Sequence, residues 1–332
     1  MRFVLAVVLA LGPAGAAFAQ TKATNVDSPL ATVAGVGSRT SLPAALPPRA
    51  DGAPPDLAFG AYQRGNFLYA LLEAERRLDA NPKDAAAMTL IGEIYHDGAA
   101  VIADDREASR WYGLASNLGD PQAAYELGVL LLQGAQGVAK DPAAAKAQFE
   151  RAAAKNNSSA LYNLGIMELN RADGKTPDYA KAAQYFLRAA NNGDDNAAYS
   201  YGVMLREGKG VPQDIAEAAH WLKRAADGGI IAGQVEYAIM LFNGEGVTRD
   251  EAGAAKILLI AAARGNPIAQ NRIAHLYVSG RALPHDLAKA AAWNSFAKAA
   301  GLQDQDLDVA TASLTLDERR RFTKMVHELG GF

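Results

Sequence analysis

The hydrophobic pattern from about residue 86 onward repeats at a nearly constant distance along the chain. A dipeptide of a large apolar or aromatic residue followed by glycine or alanine marks each copy, and successive copies lie 36, 37, 37, 36 and 36 residues apart. The six dipeptides are Ile91-Gly92, Leu127-Gly128, Leu164-Gly165, Tyr201-Gly202, Tyr237-Ala238 and Ile273-Ala274. A fixed period of this length indicates a repeat architecture in which each copy is one structural unit.

Further positions keep the same register in every copy and predict a pair of helices. A glycine falls six residues after the small residue in five of the six copies, where it would end the first helix in a left-handed conformation. An aspartate follows that is suited to cap the second helix, and these aspartates are Asp104, Asp141, Asp178, Asp214, Asp250 and Asp286. An aromatic-rich column seven residues after each aspartate and an alanine column eleven residues after it share one face of the second helix.

One helix pair cannot bury its apolar face alone, so the units must stack. We therefore predict an all-α fold, a right-handed α-solenoid of stacked antiparallel helix pairs whose helices have about 12 to 14 residues. Three members of the aromatic column are Trp111, Trp221 and Trp293, and their shared register predicts packing inside the units rather than ligand binding. Alanine makes up 71 of the 332 residues and fills other columns, because small side chains let helices approach closely.

The fourth unit carries the most complete version of this pattern. From Ala197 it reads Ala-Ala-Tyr-Ser-Tyr-Gly-Val-Met-Leu-Arg-Glu-Gly-Lys-Gly-Val, followed by Asp214, Trp221 and Ala225-Ala226. This sequence resembles the Sel-one-like repeat (SLR) family, a relative of the tetratricopeptide repeat, in its exported bacterial type. The resemblance covers six units, at about 86–122, 123–159, 160–196, 197–232, 233–268 and 269–301. In the third unit, residues 170–175 replace the glycine loop, so the resemblance implies its helices but not its inter-helix loop.

The segments outside the six units have other predicted roles. Residues 1–19 have a positive Arg2, an apolar run and an Ala17-Phe18-Ala19 cleavage site, which predicts a signal peptide. Residues 20–56 hold six of the 14 prolines and no aromatic residue, which predicts a disordered tether. Residues 57–85 resemble a tetratricopeptide pair and would form the N-terminal cap. Residues 302–332 would form C-terminal capping helices, the last of which begins with a capping box at Thr315.

Composition and charge exclude several classes of function. The net charge of −3 argues against a nucleic-acid binder that relies on a basic face. The absence of cysteine removes disulfides, thiolate zinc sites and thiol catalysis, and the five histidines form no paired metal motif. No phosphate loop, dinucleotide fingerprint or serine nucleophile motif is present. We therefore expect a protein that is not an enzyme, with no cofactor and no metal site.

In tetratricopeptide-like solenoids, a few residues of each first helix face a concave groove. The resemblance implies four such positions in each unit: three residues before the small residue of the dipeptide, and one, four and five after it. The first position gives Thr89, Tyr125, Tyr162, Tyr199, Val235 and Asn271. The others give Glu93, His96, Asp97, Gln133, Asn170, Val203, Arg206, Glu207, Asn243 and His275.

The three tyrosines at the first position would form a ladder along successive units. Two interpretations stay open: the rings bind a peptide or glycan, or they pack against the neighbouring repeat.

These observations predict an exported repeat scaffold that binds a protein or peptide partner through its groove. The resemblance implies an adaptor in the bacterial envelope or, more narrowly, a periplasmic inhibitor of a membrane sensor. A cell-wall glycan is the alternative ligand. A β-lactam hydrolase is the alternative from another class, although its exported relatives are disulfide-linked and this chain has no cysteine. We expect a periplasmic location, with secretion as the alternative, and no transmembrane segment once the signal peptide is removed.

Overall fold

The computed structural model describes residues 56–171 and 176–330, and over these ranges the chain is helical with no strand. The predicted signal peptide, the tether up to residue 55 and residues 172–175 of the inter-helix loop of the third unit lie outside the described residues. The two cap segments contribute α1 Leu57–Gln63, α2 Phe67–Ala80, α15 Gln305–Ala310 and α16 Leu316–Gly330. The six central units are α3 Ala85–Asp97 with α4 Asp105–Asn117, α5 Pro121–Gln133 with α6 Pro142–Ala153, α7 Ser158–Leu169 with α8 Tyr179–Asn191, α9 Asp195–Glu207 with α10 Ile215–Asp227, α11 Ile231–Asn243 with α12 Glu251–Ala263, and α13 Pro267–Ser279 with α14 Leu287–Ala299.

Within the six units, each helix packs mainly against the helices that precede and follow it, as in a solenoid, whereas α15 and α16 both pack against α14. This arrangement confirms the predicted all-α fold of stacked helix pairs. The helices of the six units have 12 or 13 residues, within the predicted length.

The column aspartates are the N-caps of the second helices, as their position predicted. In all six units the carboxylate accepts a hydrogen bond from a backbone N–H of the first helical turn. Asp104, for example, accepts from the N–H groups of Arg106 and Glu107 at 3.0 and 3.1 Å. These bonds satisfy donors that have no partner inside the helix, so the aspartates fix where each second helix begins.

Glycines in the loops between the two helices of a unit allow close contact between neighbouring units. Gly210 has a φ of +74°, and a Cβ atom there would overlap the backbone of Tyr179 at the start of α8. Gly246 is placed in the same way against the carbonyl oxygen of Ile215 at the start of α10. Each of these loops therefore rests on the first turn of the second helix of the preceding unit, where only glycine fits.

The core of each unit lies between its two helices, where small and large residues alternate. The alanine four residues after each capping aspartate is fully buried, and these alanines are Ala108, Ala145, Ala182, Ala218, Ala254 and Ala290. In the first four units, the glycine of the dipeptide faces the residue eight positions after the aspartate. In the first three units that residue is an aromatic ring, namely Tyr112, Phe149 or Phe186, and each ring is buried.

The tryptophans pack within the repeat array, as their register predicted. Trp221 and Trp293 are buried, and the Trp221 ring lies 5.7 Å from the Tyr201 ring in an edge-on arrangement. Trp111 is partly buried and packs against buried residues of α1 to α3 on one side and of α3 to α5 on the other.

The two cap segments are bound to the units beside them by charged side chains. Arg77 of α2 joins Asp56, which caps α1, to Asp84, which caps α3, at 2.7 and 2.9 Å. Arg321 of α16 binds Asp286, the N-cap of α14, at 2.9 Å. Helix α15 begins after its N-cap Asp304 and ends at Ala310, within the segment predicted to form the C-terminal cap.

Candidate functional site

The candidate positions lie on α3, α5, α7, α9, α11 and α13, and we call this set the first-helix surface. On the first four of these helices, Gly92, Gly128, Gly165 and Gly202 face the second helix of the same unit. The candidate side chains differ in accessibility. Thr89 and Val235 are buried and cannot contact a partner, whereas Gln133 and Asn170 are exposed and Val203 is partly exposed.

The three tyrosines of the ladder are half-buried and pack against the core of the repeat array. The Tyr125 ring lies 6.0 Å from the Phe149 ring, and the Tyr162 ring lies 5.6 Å from the Phe186 ring. Burial raises the pKa of all three phenols. The ladder therefore combines a packed inner edge with an outer edge that a partner can reach.

The hydroxyl groups of Tyr125 and Tyr162 lie beside side chains of the next unit. Side chains of Ser159 and Asn163 on α7 lie beside the Tyr125 hydroxyl and partly offset the effect of burial on its pKa. Ser200 on α9 has the same relation to Tyr162. Each of these two tyrosines thus contacts two units at once. The affinity of a ligand on the ladder would therefore depend on how neighbouring units are stacked.

Arg206 takes part in an ion pair between the fourth and fifth units. Its guanidinium donates to the carboxylate of Glu236 on α11, and both side chains are about one-quarter exposed. Burial alone would lower the pKa of Arg206, but Glu236 raises it above its ordinary value. Glu207 at the next position is paired with Lys209 at 2.7 Å. The charge of Arg206 is therefore largely satisfied within the chain.

Acidic side chains meet between the first two units. Burial, followed by the nearby carboxylates of Glu126, Asp97 and Asp120, raises the pKa of Glu93 from 4.5 to about 7. Asp97 accepts a hydrogen bond of 2.7 Å from the Tyr62 hydroxyl of α1. This end of the first-helix surface is strongly acidic when all of these carboxyl groups are ionised.

His96, a candidate residue of the first unit, lies against the start of the second helix of that unit. His96 is close to Asp105, with 2.6 Å between Nδ1 and a carboxylate oxygen, and its side chain is 47% exposed. The imidazole therefore has a partner in the first turn of α4.

Asn271 and His275 bind the C-terminal cap. The Asn271 amide and His275 Nε2 both lie 2.8 Å from the same carboxylate oxygen of Asp304. The other oxygen of Asp304 accepts a hydrogen bond from the N–H of Leu307 and caps α15. Partial burial acts in the opposite direction, but these hydrogen bonds hold the pKa of Asp304 at about 2. Asn271 and His275 therefore already form hydrogen bonds within the chain, which leaves fewer of their polar atoms for a partner.

A cleft of about 300 Å³ lies between α11 and α13, and it brings Asn243 and His275 together. Its walls also include Phe242, Arg272 and Arg281, which sequence reasoning did not identify. Phe242 occupies the fourth position after Ala238, one of the groove positions, and that register is the signal that could have found it. Arg272 and Arg281 lie outside the four positions, so no sequence pattern marked them.

Within the described residues, no group of histidine, aspartate or glutamate side chains is arranged to hold a metal ion. A span of residues long and apolar enough to cross a membrane is also not found among the helices that the structure describes.

Comparison with known proteins agrees with this architecture. The Sel1 repeat family model matches six consecutive segments, 85–120, 121–157, 158–194, 195–230, 231–266 and 267–302. A search of curated proteins found no match to this chain.

The solved structures that are similar to this chain include two with the same repeat. One is c5321, a protective antigen present in uropathogenic Escherichia coli strains and displaying an SLR fold, with a TM-score of 0.70 and 23% identity over 82% of this chain. This chain spans 59% of the antigen's length. The other is a Sel1 repeat protein from Oxalobacter formigenes, with a TM-score of 0.63 and 28% identity over 73% of this chain and 98% of that one.

Sel1 repeat proteins typically mediate protein–protein interaction, and their fold is generally a non-catalytic scaffold. The matched segments run from residue 85 to residue 302, which is about two thirds of the chain. The chain belongs to the Sel1 repeat family.

Proposed function

We propose that this chain is an exported, non-enzymatic scaffold that binds a protein partner in the bacterial envelope through its first-helix surface. The observation that carries this proposal is the ladder of Tyr125, Tyr162 and Tyr199, whose side chains are packed against the core and partly exposed. The Tyr125 and Tyr162 rings are further anchored on the Phe149 and Phe186 rings. Anchored tyrosines offer a large contact area and a hydroxyl group while losing little conformational entropy on binding. The narrower form of the proposal is a periplasmic inhibitor of a membrane sensor.

Capture from an envelope extract tests the ladder. We expect the chain purified from cells to retain a defined protein, and we expect replacement of all three ladder tyrosines by alanine to weaken that capture at least tenfold. A triple phenylalanine variant keeps the ring packing and removes only the hydroxyl groups. Tyr179 and Tyr185 of α8, changed together to alanine, are the matched control because they lie on a second helix.

Other outcomes would contradict the proposal. Retention of purified cell-wall glycan with no protein bound would favour the glycan alternative. A ladder variant that melts many degrees lower and still captures the partner when folded would assign the tyrosines to packing alone. Turnover of nitrocefin above a buffer blank would overturn the non-enzymatic part, which rests on the absence of cysteine and of a recognisable catalytic group.

Export rests on the apolar run and the Ala17-Phe18-Ala19 site. Fractionation of cells followed by N-terminal sequencing of the chain tests it. We expect the chain in the periplasmic fraction to begin at Gln20, and a chain that keeps Met1 and stays in the cytoplasm would contradict export.

A further inference from the structure

The cleft between α11 and α13 has an apolar floor. Ile239 and Phe242 come from α11 and Leu276 comes from α13, so the floor joins the fifth and sixth units. A volume of about 300 Å³ is at the lower end of the range of ligand pockets, and it suits one large side chain rather than a whole small molecule.

The rim of this cleft is basic. Arg272, His275 and Arg281 line it, and none of the described residues that line it is acidic. The Arg281 guanidinium lies 4.6 Å from the centre of the Phe242 ring, and it donates to both carboxylate oxygens of Glu251 at 2.7 and 2.8 Å. Arg281 is thus held in place, and Glu251, which also binds Arg249, neutralises much of its charge.

Arg272 differs from the other two basic residues of the rim. Its side chain is exposed and has no hydrogen bond or ion pair within the described part of the chain. His275 has a partner in Asp304, which leaves Arg272 as the rim cation whose charge is not matched inside the chain. A guanidinium beside an apolar floor favours an anion that is attached to an apolar group.

We propose that this cleft binds a segment of the protein partner in which a large apolar side chain is flanked by an aspartate or glutamate. The apolar side chain enters the cleft, and the carboxylate pairs with Arg272. A lysine or arginine at the flanking position is repelled by the rim. This inference rests on the proposed function and assigns one end of the first-helix surface a ligand preference.

An array of randomised octapeptides, probed with the full chain purified from cells, tests this preference. We expect the bound peptides to be enriched in leucine, isoleucine or phenylalanine with an acidic residue within two positions. Replacing that acidic residue by its amide should weaken binding roughly fivefold, as expected for a partly exposed ion pair. An Arg272→Glu variant should reverse the preference at the flanking position toward lysine and arginine while keeping the apolar residue.

The matched control is Arg320→Glu, since Arg320 is an exposed arginine on α16 away from the cleft. This variant should select the same peptides as the unchanged chain. Circular dichroism establishes that both variants are folded.

Several results would overturn the inference. These are enrichment of basic peptides by the unchanged chain, an unchanged preference in the Arg272→Glu variant, or no enrichment of any peptide. Partner capture separates this failure from failure of the proposed function. If the ladder variants lose the partner while Arg272→Glu keeps it, only the cleft assignment fails. If the ladder variants keep the partner, the proposed function fails whatever the array shows.

Discussion

Gly165 and the Phe186 ring share one space between α7 and α8: a Cβ atom added to Gly165 would lie 2.5 Å from Cε1 of the ring. The ring is fully buried, so it has no room to move away. The same relation holds between Gly128 and Phe149 at 2.6 Å. The close packing of a unit therefore depends on a matched pair of residues, one on each helix.

Gly165→Ala should destabilise the chain by about 1–3 kcal/mol, because overpacking of the ring outweighs the gain in helix propensity of about 1 kcal/mol. Adding Phe186→Leu should restore much of the loss, since the fifth unit already combines Ala238 with Leu258 at these positions. Urea denaturation of the two single variants and the double variant measures the coupling between the two positions.

Gly113→Ala is the control, because its Cβ atom would meet only Leu127 at 3.9 Å, and this substitution should not destabilise the chain. Additive effects of the two substitutions would contradict the pairing.

The raised pKa of Glu93 predicts a loss of stability as the pH rises. The folded-state pKa is about 7 and the ordinary value is 4.5, so the folded chain binds this proton more tightly than the unfolded chain. The resulting stabilisation is present below about pH 4.5 and is lost as the pH rises through about 7. Glu93→Gln should therefore be more stable than the unchanged chain at pH 8, by a free energy on the order of 1 kcal/mol, and should melt at a higher temperature there. At pH 4.5 the two proteins should have nearly the same stability.

Melting curves at the two pH values, measured by circular dichroism, test this prediction. Glu150→Gln is the control because Glu150 is an exposed carboxylate on a second helix. An equal effect of Glu93→Gln at both pH values would contradict the electrostatic origin.

Asp304 should make the C-terminal cap sensitive to acid. Its folded-state pKa of about 2 lies below the ordinary 3.8, so its contribution is present above about pH 4 and is lost as the pH falls through about 2. Asp304→Asn keeps a good N-cap residue and removes the charge, so its stability should vary less between pH 4 and pH 2. Asp304→Ala should cost about 1 kcal/mol more than Asp304→Asn because the cap of α15 is also lost.

Hydrogen exchange of α15 and α16 measures these changes in the cap directly. Faster exchange spread evenly over all units, instead of concentrated after α14, would contradict a local role for Asp304.

Glu168 is a buried carboxylate that depends on two lysines. Its side chain is 3% exposed and lies 2.8 Å from Lys146 Nζ and 2.9 Å from Lys181 Nζ. Burial alone would raise its pKa, but the two lysines hold the pKa below its ordinary value. Replacing both lysines by alanine should destabilise the chain by about 2 kcal/mol at pH 7, less than for a fully buried pair because both lysines are partly exposed.

Guanidinium denaturation at pH 7 measures this loss. Adding Glu168→Gln to the double lysine variant should recover stability, since the unpaired charge is then removed. Failure to recover stability would show that the lysines act by packing of their aliphatic chains.

The architecture could be predicted because each unit is specified locally. The column aspartates need only their own helix to act as caps, and the period of 36 or 37 residues places every cap without knowledge of the neighbouring units. The column of buried rings was harder to predict from the sequence. Tyr112, Phe149 and Phe186 lie one position after the aromatic column that sequence reasoning emphasised, and only the rotation of the helix determines which of the two columns faces the small residue.

Contacts between units could not be predicted for a related reason. Arg206 and Glu236 are 30 residues apart, and Asn271 and Asp304 are 33 apart. Whether these residues meet depends on how far each unit is rotated and shifted relative to the next. The repeat period alone does not determine that rotation or shift. The cleft around Arg272 depends on the same geometry.

The pairing of small and large residues across a unit limits how such a chain can be rearranged by duplication or recombination. A first helix with Ala238 would not fit a second helix with Phe186, whereas a complete unit carries both members of its pair with it. Exchange between units should therefore succeed when the crossover falls between Gly193 and Asp195, at a unit boundary, and fail when it falls between the two helices of a unit. The helix pair, and not the single helix, is the smallest piece of this chain that can be inherited or engineered intact.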